Sequence, residues 1–215
     1  METGVSRRDR KRARAAAVPS GGPQATRRAL ERLDDARAIV LVEGLSDQIA
    51  LETLAARRGR KLEHEGVVVV PIGGAQAIGR FLARFGDTRL AGLCDEGEEE
   101  VFRRSLEQAR LGANLTRADM ERLGFYVCVE DLEDELIRAL GSAAIEAVIE
   151  SEGDLGSFRT FQKQPAWRGQ PVEAQLRRYL GSADRRKLRY ARLLVEALDL
   201  DRVPRPLDGV LAHVA

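Results

Sequence analysis

Short apolar runs alternate with helical patterns between residues 38 and 140. The first run, Ala38–Val42, is β-branched, lacks polar alternation and is too short for a core helix, so it predicts a strand buried on both faces. Further strands are predicted at Val67–Val70, Leu90–Cys94 and Phe125–Val129. Because helical sequence separates these runs, we expect an α/β fold with a mostly parallel four-stranded sheet and helices on both faces.

The helical segments follow the spacing of apolar residues and the positions of capping residues. The predicted helices of the α/β part are Thr26–Arg37, Ser46–Arg58, Ala75–Phe85, Glu98–Leu111, Thr116–Leu123 and one that ends near Leu140. Past Gly141 the strand patterns stop. Helices are predicted there at Ala143–Glu150, Val172–Leu180, Asp184–Leu198 and after Pro206, with Gly153–Pro171 as a connecting segment. We therefore expect an α/β domain at residues 26–141 and a helical C-terminal extension at 142–215.

The first 25 residues are basic and poor in bulky apolar side chains. They contain the run Arg7-Arg8-Asp9-Arg10-Lys11-Arg12, followed by turn-forming Pro and Gly residues. This composition predicts a disordered basic tail over residues 1–25. We interpret the tail as solvated, with weak contact to phosphate groups as the alternative.

Charge and cysteine usage limit the class of protein. The 215 residues carry a formal net charge of +1, so any attraction to nucleic acid must be local. No apolar run approaches the roughly 20 residues that a membrane helix needs, and the basic N-terminus lacks the apolar region of a signal peptide. Cys94 and Cys128 fall in predicted strands, which is typical of free core thiols in a reducing cytosol. We expect a cytoplasmic protein with no membrane contact.

Acidic residues follow three of the four predicted strands. Glu43 follows the first strand, Asp95 ends the third, and Glu130 and Asp131 follow the fourth. The carboxyl ends of parallel strands meet at one edge of a sheet, so these acids should converge there. Converging carboxylates repel each other, and a divalent cation relieves that repulsion. Oxygen ligands without a nearby histidine favour Mg²⁺ or Mn²⁺ over zinc.

The order and spacing of these motifs resemble a Toprim domain, and in particular the Toprim domain of the OLD (overcoming lysogenization defect) nucleases. The resemblance rests on Val40-Leu-Val-Glu43-Gly44 with Asp47, on Gly73-Gly74 after the second strand, and on Leu93-Cys-Asp95. It covers residues 39–140 well and the C-terminal helices more loosely. The family pattern is Glu-Gly-x-x-Asp after the first strand, Asp-x-Asp after the third, a later glutamate and a lysine beyond it.

The resemblance implies functional roles for particular residues. Glu43 and Asp47 match the first motif, and Asp95 matches the first acid of the second. Gly97 stands where the family has its second aspartate, and Glu98, Glu99 or Glu100 could replace it, with Glu100 preferred. The family glutamate corresponds best to Glu133. The family lysine corresponds best to Lys187, with Lys163 as second choice. The metal set implied is Glu43, Asp47, Asp95, Glu98, Glu100 and Glu133.

Simpler explanations exist for several of these residues. Asp47 could be only a favourable charge at a helix N-terminus, and Glu98–Glu100 could be a solvated helix start. Gly73-Gly74 lacks the G-x-x-x-x-G-K-[ST] string of a phosphate loop and so favours a tight turn.

The function that the resemblance implies is cleavage of DNA phosphodiester bonds with Mg²⁺ or Mn²⁺. The nucleic acid would be DNA rather than RNA, tracked by arginines such as Arg159, Arg168, Arg177 and Arg178. No Walker A string occurs in the sequence, so an ATPase would be a separate partner, or the domain acts alone. Two alternatives stay open: a catalytically inactive Toprim fold that binds nucleic acid or a partner protein, and a nucleotidyl transferase. A homodimer also stays open.

Overall fold

The computed structural model describes residues 22–33, 36–85 and 88–215. Most of the expected basic tail, residues 1–21, lies outside the described residues. Helix α1 spans Gly22–Leu30, so it begins four residues before the predicted Thr26 and ends well before Arg37. The hydroxyl of Thr26 donates to the carbonyl of Pro71 at 2.5 Å, which ties this helix to the edge of the sheet.

The sheet has the predicted architecture. Its strands are β1 Ala38–Val42, β2 Val67–Pro71, β3 Arg89–Asp95 and β4 Phe125–Cys128. They lie in the order β2-β1-β3-β4, and every neighbouring pair is parallel. In the central strand Val40 lies opposite Val69 on one side and Ala91 on the other. The C-terminal ends of β1 and β3 are therefore adjacent, as the sequence predicts.

Helices cover both faces of the sheet. The α/β part contains α2 Leu45–Arg57, α3 Ile78–Phe85, α4 Glu99–Gln108, α5 Arg117–Arg122 and α6 Leu132–Leu140. The C-terminal part contains α7 Ser142–Ser151, α8 Leu155–Gln162, α9 Val172–Leu180, α10 Asp184–Ala197 and α11 Arg205–His213. Helix α8 lies within Gly153–Pro171, which was expected to be a connecting segment. The α/β fold with a largely helical C-terminal part is confirmed.

Alternation along the strands divides the apolar core into two. Ile39 and Leu41 of β1 point to one face, where they pack with residues of α1, α3, α4 and α5. Val40 and Val42 point to the other face, where they pack with α2 and with α6 to α11. Apart from Arg89, Asp95 and Tyr126, the strand residues are buried, as a doubly covered parallel sheet requires.

The C-terminal helices belong to the second of these cores. Helix α10 packs extensively against α2, and the Arg57 side chain of α2 donates to the carbonyls of Val195 and Leu198 at 2.8 and 2.6 Å. Tyr179 and Tyr190 are nearly inaccessible within the same core. Residues 142–215 therefore share a core with β1 and α2. The helical extension is part of the structure that supports the sheet.

Both cysteines are buried and free. Within the described residues, no helix is both long and apolar enough to cross a membrane.

Candidate active site at the carboxyl edge of the sheet

Glu43 is fixed at the C-terminal end of β1 by contacts to both neighbouring strands. Its carbonyl accepts hydrogen bonds from the backbone N–H groups of Gly73 and Gly74 at 3.2 and 3.0 Å. Both glycines have positive φ angles, 79° and 106°, that other residues rarely adopt. Glu43 Oε1 accepts from the backbone N–H of Asp95 at 2.8 Å. Since the Gly-Gly amides are occupied by Glu43, this turn positions an acid and is not a phosphate loop.

Asp47 lies in the first turn of α2 and is 8% exposed. Its Oδ2 accepts from the backbone N–H of Gly44 at 2.9 Å, which holds the turn between β1 and α2. Burial raises the pKa of Asp47 to about 7, and the neighbouring Glu43 and Glu133 add to that shift. A carboxylate placed only to favour a helix N-terminus would be solvated, so the burial of Asp47 and its acidic neighbours point to a further role.

Lys187 brings a positive charge from α10 to this edge of the sheet. Its Nζ lies 3.5 Å from Oε2 of Glu133, a buried residue in the first turn of α6. The positive charge of Lys187 also lowers the pKa values of four carboxyl groups, those of Glu43, Asp47, Asp95 and Glu133. The structure thus brings together the five residues chosen as catalytic candidates from the sequence.

The acidic residues of this cluster hold protons more tightly than isolated carboxylates do. Burial raises the pKa values of Glu43 and Asp95 to about 7, and burial likewise raises the pKa of Glu133. Repulsion adds to each shift, since Asp95 acts on Glu43 and Asp47 acts on Asp95. Excess negative charge is therefore concentrated at the strand ends, and the cluster would gain from a cation.

These donors suit a hard divalent cation, although they do not form a closed cage. Throughout the ranges that the structure describes, no three His, Cys, Asp or Glu side chains are arranged as a complete metal site. The carboxylates of Glu43 and Asp47 instead accept from backbone amides, and the carboxylate of Glu133 pairs with Lys187. Mg²⁺ is commonly held by one or two carboxylates together with substrate phosphates. Glu43 and Asp95 fit that arrangement, because the bond from the backbone N–H of Asp95 to Oε1 of Glu43 holds both residues at the same strand ends.

The three glutamates after Asp95 have different environments. Glu100 is exposed and pairs with Arg103 and Arg104 of its own helix, and Glu99 pairs with Arg117. Glu98 is the one of the three whose charge raises the pKa of Glu43. We therefore infer that Glu98, and not the preferred Glu100, would take the place of the missing aspartate.

The arginines proposed to track a nucleic-acid backbone are mostly held by other groups. Arg177 contacts Glu130 at 2.7 Å and Asp131 at 2.8 Å, and it thereby joins α9 to the loop after β4. Arg159 pairs with Glu146, and Arg168 donates to the carbonyl of Lys163. Arg178 is exposed, and no hydrogen bond or ion pair of its guanidinium is found among the described residues. The positioning role of Arg177 was missed from the sequence, because a contact across 46 residues leaves no local signal.

Fold and site together define a Toprim-type α/β domain: a parallel sheet with acids at its carboxyl edge. Residues 36–91 match the family model described as "Overcoming lysogenization defect protein-like, TOPRIM domain". This segment contains β1, α2, β2 and the turn at Gly73-Gly74, and it ends just before Asp95. This segment is therefore similar to OLD-like Toprim domains, which confirms the resemblance seen in its motifs.

Solved structures of OLD proteins share the fold over most of the chain. The C-terminal region of the Xanthomonas campestris pv. campestris OLD protein matches at a TM-score of 0.63 and 20% sequence identity, covering 85% of this chain and 94% of that one. The C-terminal region of the Burkholderia pseudomallei OLD protein matches at 0.62 and 21%, covering 83% and 97%. A comparison with curated protein sequences finds no match. The likeness extends past the Toprim segment into the C-terminal helices.

Proposed function

We propose that this chain cleaves phosphodiester bonds of DNA in a reaction that depends on Mg²⁺ or Mn²⁺. The observation that carries the proposal is the cluster of Glu43, Asp47, Asp95 and Glu133 around Lys187 at the carboxyl edge of the sheet. The OLD-like Toprim match supports a nuclease-type domain.

Glu43 and Asp95 would hold the metal ion, with Glu98 close enough to add its charge. When bound, the ion would stabilise charge on the phosphoryl oxygens and supply an activated water. A carboxyl group with a pKa of about 7 is suited to proton transfer near neutral pH, so Glu43 could alternatively shuttle a proton.

Lys187 and Asp47 would have different roles, one on the reacting phosphate and the other on the position of Glu43. The ammonium group of Lys187 would stabilise the negative charge that develops on the phosphate oxygens. Its Nζ lies 3.5 Å from Oε2 of Glu133, and this contact orients the ammonium group. Asp47 would hold the β1–α2 turn through Gly44 and so keep the Glu43 carboxylate in place.

A second candidate is a Toprim fold that binds nucleic acid without cutting it. Gly97 favours this alternative because it occupies the position of the family's second acid, and so does the lack of a complete metal site among the described residues. The two functions differ in one outcome: a nuclease needs the acids in order to cut DNA, whereas a binding protein does not cut DNA at all.

Nicking of supercoiled plasmid in Mn²⁺ separates these functions. The wild type should convert supercoiled plasmid to open circles, and Glu43→Ala and Asp95→Ala should not. Asp184→Asn, on the exposed first turn of α10, is the matched control and should nick as the wild type does. If the wild type binds DNA without nicking it, the proposal of catalysis is wrong. Strand growth in the presence of nucleotides would instead identify a nucleotidyl transferase.

A further inference from the structure

Two neighbouring cavities lead away from the acidic cluster over the C-terminal helices. The first has a volume of about 390 Å³, and its lining includes Glu133 and Lys187 on one side and Trp167 and Arg178 on the other. The second has a volume of about 510 Å³ and is lined by Trp167 and Arg178 as well. Because they share these two side chains, the cavities lie side by side, and together we call them the Trp167 groove.

The Trp167 groove becomes more positively charged with distance from the acidic cluster. In the first cavity the acids Asp131 and Glu133 are paired with Arg177 and Lys187. The second cavity is lined by Arg178 and Arg186 and by no acidic residue among those described. The guanidinium of Arg178 is exposed and available. A phosphate chain that leaves the reaction site would therefore meet increasing positive charge along this groove.

Trp167 forms a fixed aromatic surface between the two cavities. Its ring stacks on Phe161 with the centroids 5.3 Å apart and an interplanar angle of 28°. Its carbonyl accepts from Nε2 of Gln175 at 2.8 Å, which anchors the backbone of this segment. An aromatic side chain in a cationic groove is a stacking surface for nucleic-acid bases, and such stacking does not depend on the base sequence.

The position of the ring also limits the form of nucleic acid. Inside a duplex both faces of a base are covered by its neighbours, so a base can stack on a protein side chain only when it is unpaired. The second cavity offers hydroxyl and amide groups beside the ring, from Thr160, Ser182 and Gln164. These groups can hydrogen-bond to an exposed base or sugar.

We propose that the Trp167 groove binds an unpaired stretch of the strand that is cut, with a base on Trp167 and a phosphate on Arg178. This inference rests on the proposed function, in which the acidic cluster at the end of the groove is the site of cleavage. It adds that the substrate is a single-stranded or locally opened nucleic acid.

Trp167 is the only tryptophan in the chain, so its fluorescence reports on this groove directly. The wild-type protein is titrated with an oligodeoxythymidylate in EDTA, and the titration is repeated with a blunt-ended, GC-rich duplex of the same length. The single strand should quench the tryptophan emission, and the duplex should quench it much less. Equal quenching by both ligands, or binding of the single strand without quenching, would overturn the proposal.

Variants test the two contacts separately through the anisotropy of a labelled oligodeoxythymidylate. Trp167→Ala should weaken binding by about one to two orders of magnitude, whereas Trp167→Phe keeps a ring and should bind within a few-fold of the wild type. Arg178→Ala should reduce the slope of log affinity against log salt by about one. Arg80→Ala, an exposed arginine of α3 on the opposite face of the sheet, is the control. Wild-type binding by both Trp167→Ala and Arg178→Ala would contradict the proposal.

The binding and cleavage assays fail independently of each other. If plasmid is nicked in Mn²⁺ but Trp167 does not respond to single strands, the groove proposal is wrong and the catalytic proposal stands. If single strands quench Trp167 but no nicking occurs with any DNA, the groove binds nucleic acid and the catalytic proposal is wrong.

Discussion

At the scale of single residues, the positive charge of Lys187 offsets the repulsion among the carboxylates of the acidic cluster. Lys187 pairs with Glu133 and lowers the pKa values of all four acids in the cluster. Its position in α10 places it at the boundary between the acids and the Trp167 groove. The same charge can therefore offset the carboxylates in the resting protein and act on a phosphate in the reaction.

Lys187→Met tests the catalytic part of that role. Removing a donor aimed at the developing charge costs about 10²- to 10³-fold in rate, so we expect plasmid nicking to slow by about that factor. Lys187→Arg should retain part of the rate, because it keeps the charge but changes the geometry. Lys163→Met, at the exposed end of α8, is the control and should nick normally. A wild-type rate for Lys187→Met would exclude Lys187 from the reaction.

Asp47 should make stability depend on pH. Its pKa is about 7 in the folded chain against an ordinary value of 3.8, so the folded protein binds this proton more tightly than the unfolded chain does. Ionisation therefore destabilises the fold as pH rises from about 4 to about 7. In EDTA at pH 8, Asp47→Asn should raise the free energy of unfolding by about 1–3 kcal/mol, with little change at pH 4.

Urea denaturation at the two pH values measures this difference for Asp47→Asn. The exposed Asp184→Asn serves as the control, and its stability should stay within about 1 kcal/mol of the wild type at both pH values, because it loses only a charge at a helix N-terminus. An equal effect of Asp47→Asn at pH 4 and pH 8 would show that the carboxylate charge is not the cause.

Gly97 lies beside the acidic cluster in a position with free space. A Cβ added there would meet no other atom within 4 Å, and its φ angle is not one that favours glycine. Packing therefore does not require glycine at this position. Gly97→Asp should add a carboxylate two residues after Asp95 and lower the Mn²⁺ concentration for half-maximal nicking by about tenfold. Gly97→Asn adds a similar volume without the charge, and an equal effect of both variants would rule out metal binding by the new acid.

At the scale of helices and strands, the C-terminal helices complete the site as well as the core. Helix α10 supplies Lys187, and α9 supplies Arg177, which fixes the loop that carries Glu130 and Asp131. The same helices cover the face of the sheet to which Val40 and Val42 point. Removal of residues 142–215 would expose that face and the inner side of α2, including Leu51 and Leu54.

A fragment that ends at Gly141 should therefore not fold alone. The full chain should unfold in urea in one transition, because both parts share a core. The fragment should lack a cooperative transition and show reduced helical circular dichroism, and mixing it with a 142–215 fragment should restore part of the signal. A cooperative transition of the isolated fragment would show that the α/β part is an independent domain, as the boundary predicted from the sequence implies.

The strands were predictable because each is a short apolar run bounded by turn-forming residues. The acids Glu43 and Asp95 were also predictable as neighbours, since parallel strands place their carboxyl ends at one edge. The start of α1 was missed because Gly22 and Pro23 look like turn residues, although Pro is well tolerated in the first turn of a helix. Helix α8 was missed because the Gly and Pro residues around it dominated the pattern.

Parts of the site depend on tertiary contacts that no local pattern encodes. Glu100 was preferred over Glu98 and Glu99 from the sequence, but Arg103 and Arg104 lie one turn away on the same helix and pair with Glu100. Lys187 could be selected only through the family resemblance, because its partner Glu133 lies far away in the sequence. The Trp167 groove has no sequence signal, since it forms from side chains of α8, α9 and α10 and the segments between them.

At the scale of the whole molecule, acidic side chains lie at one edge of the sheet and basic side chains of the C-terminal helices lie beside them. The total net charge is only +1, so this local separation is what would orient a nucleic acid. The acids would hold the metal ion at the cleaved bond, and the Trp167 groove would hold the strand beyond it. Metal and DNA must therefore act at the same carboxylates.

The rate of plasmid nicking as a function of Mn²⁺ concentration tests this requirement most directly. The wild type should nick with a saturable dependence on Mn²⁺ and stop in EDTA. Asp95→Asn should need at least about tenfold more Mn²⁺ or lose activity, since it removes a ligand charge while keeping the side-chain shape. Nicking by the wild type in EDTA, or an unchanged Mn²⁺ dependence in Asp95→Asn, would contradict the account.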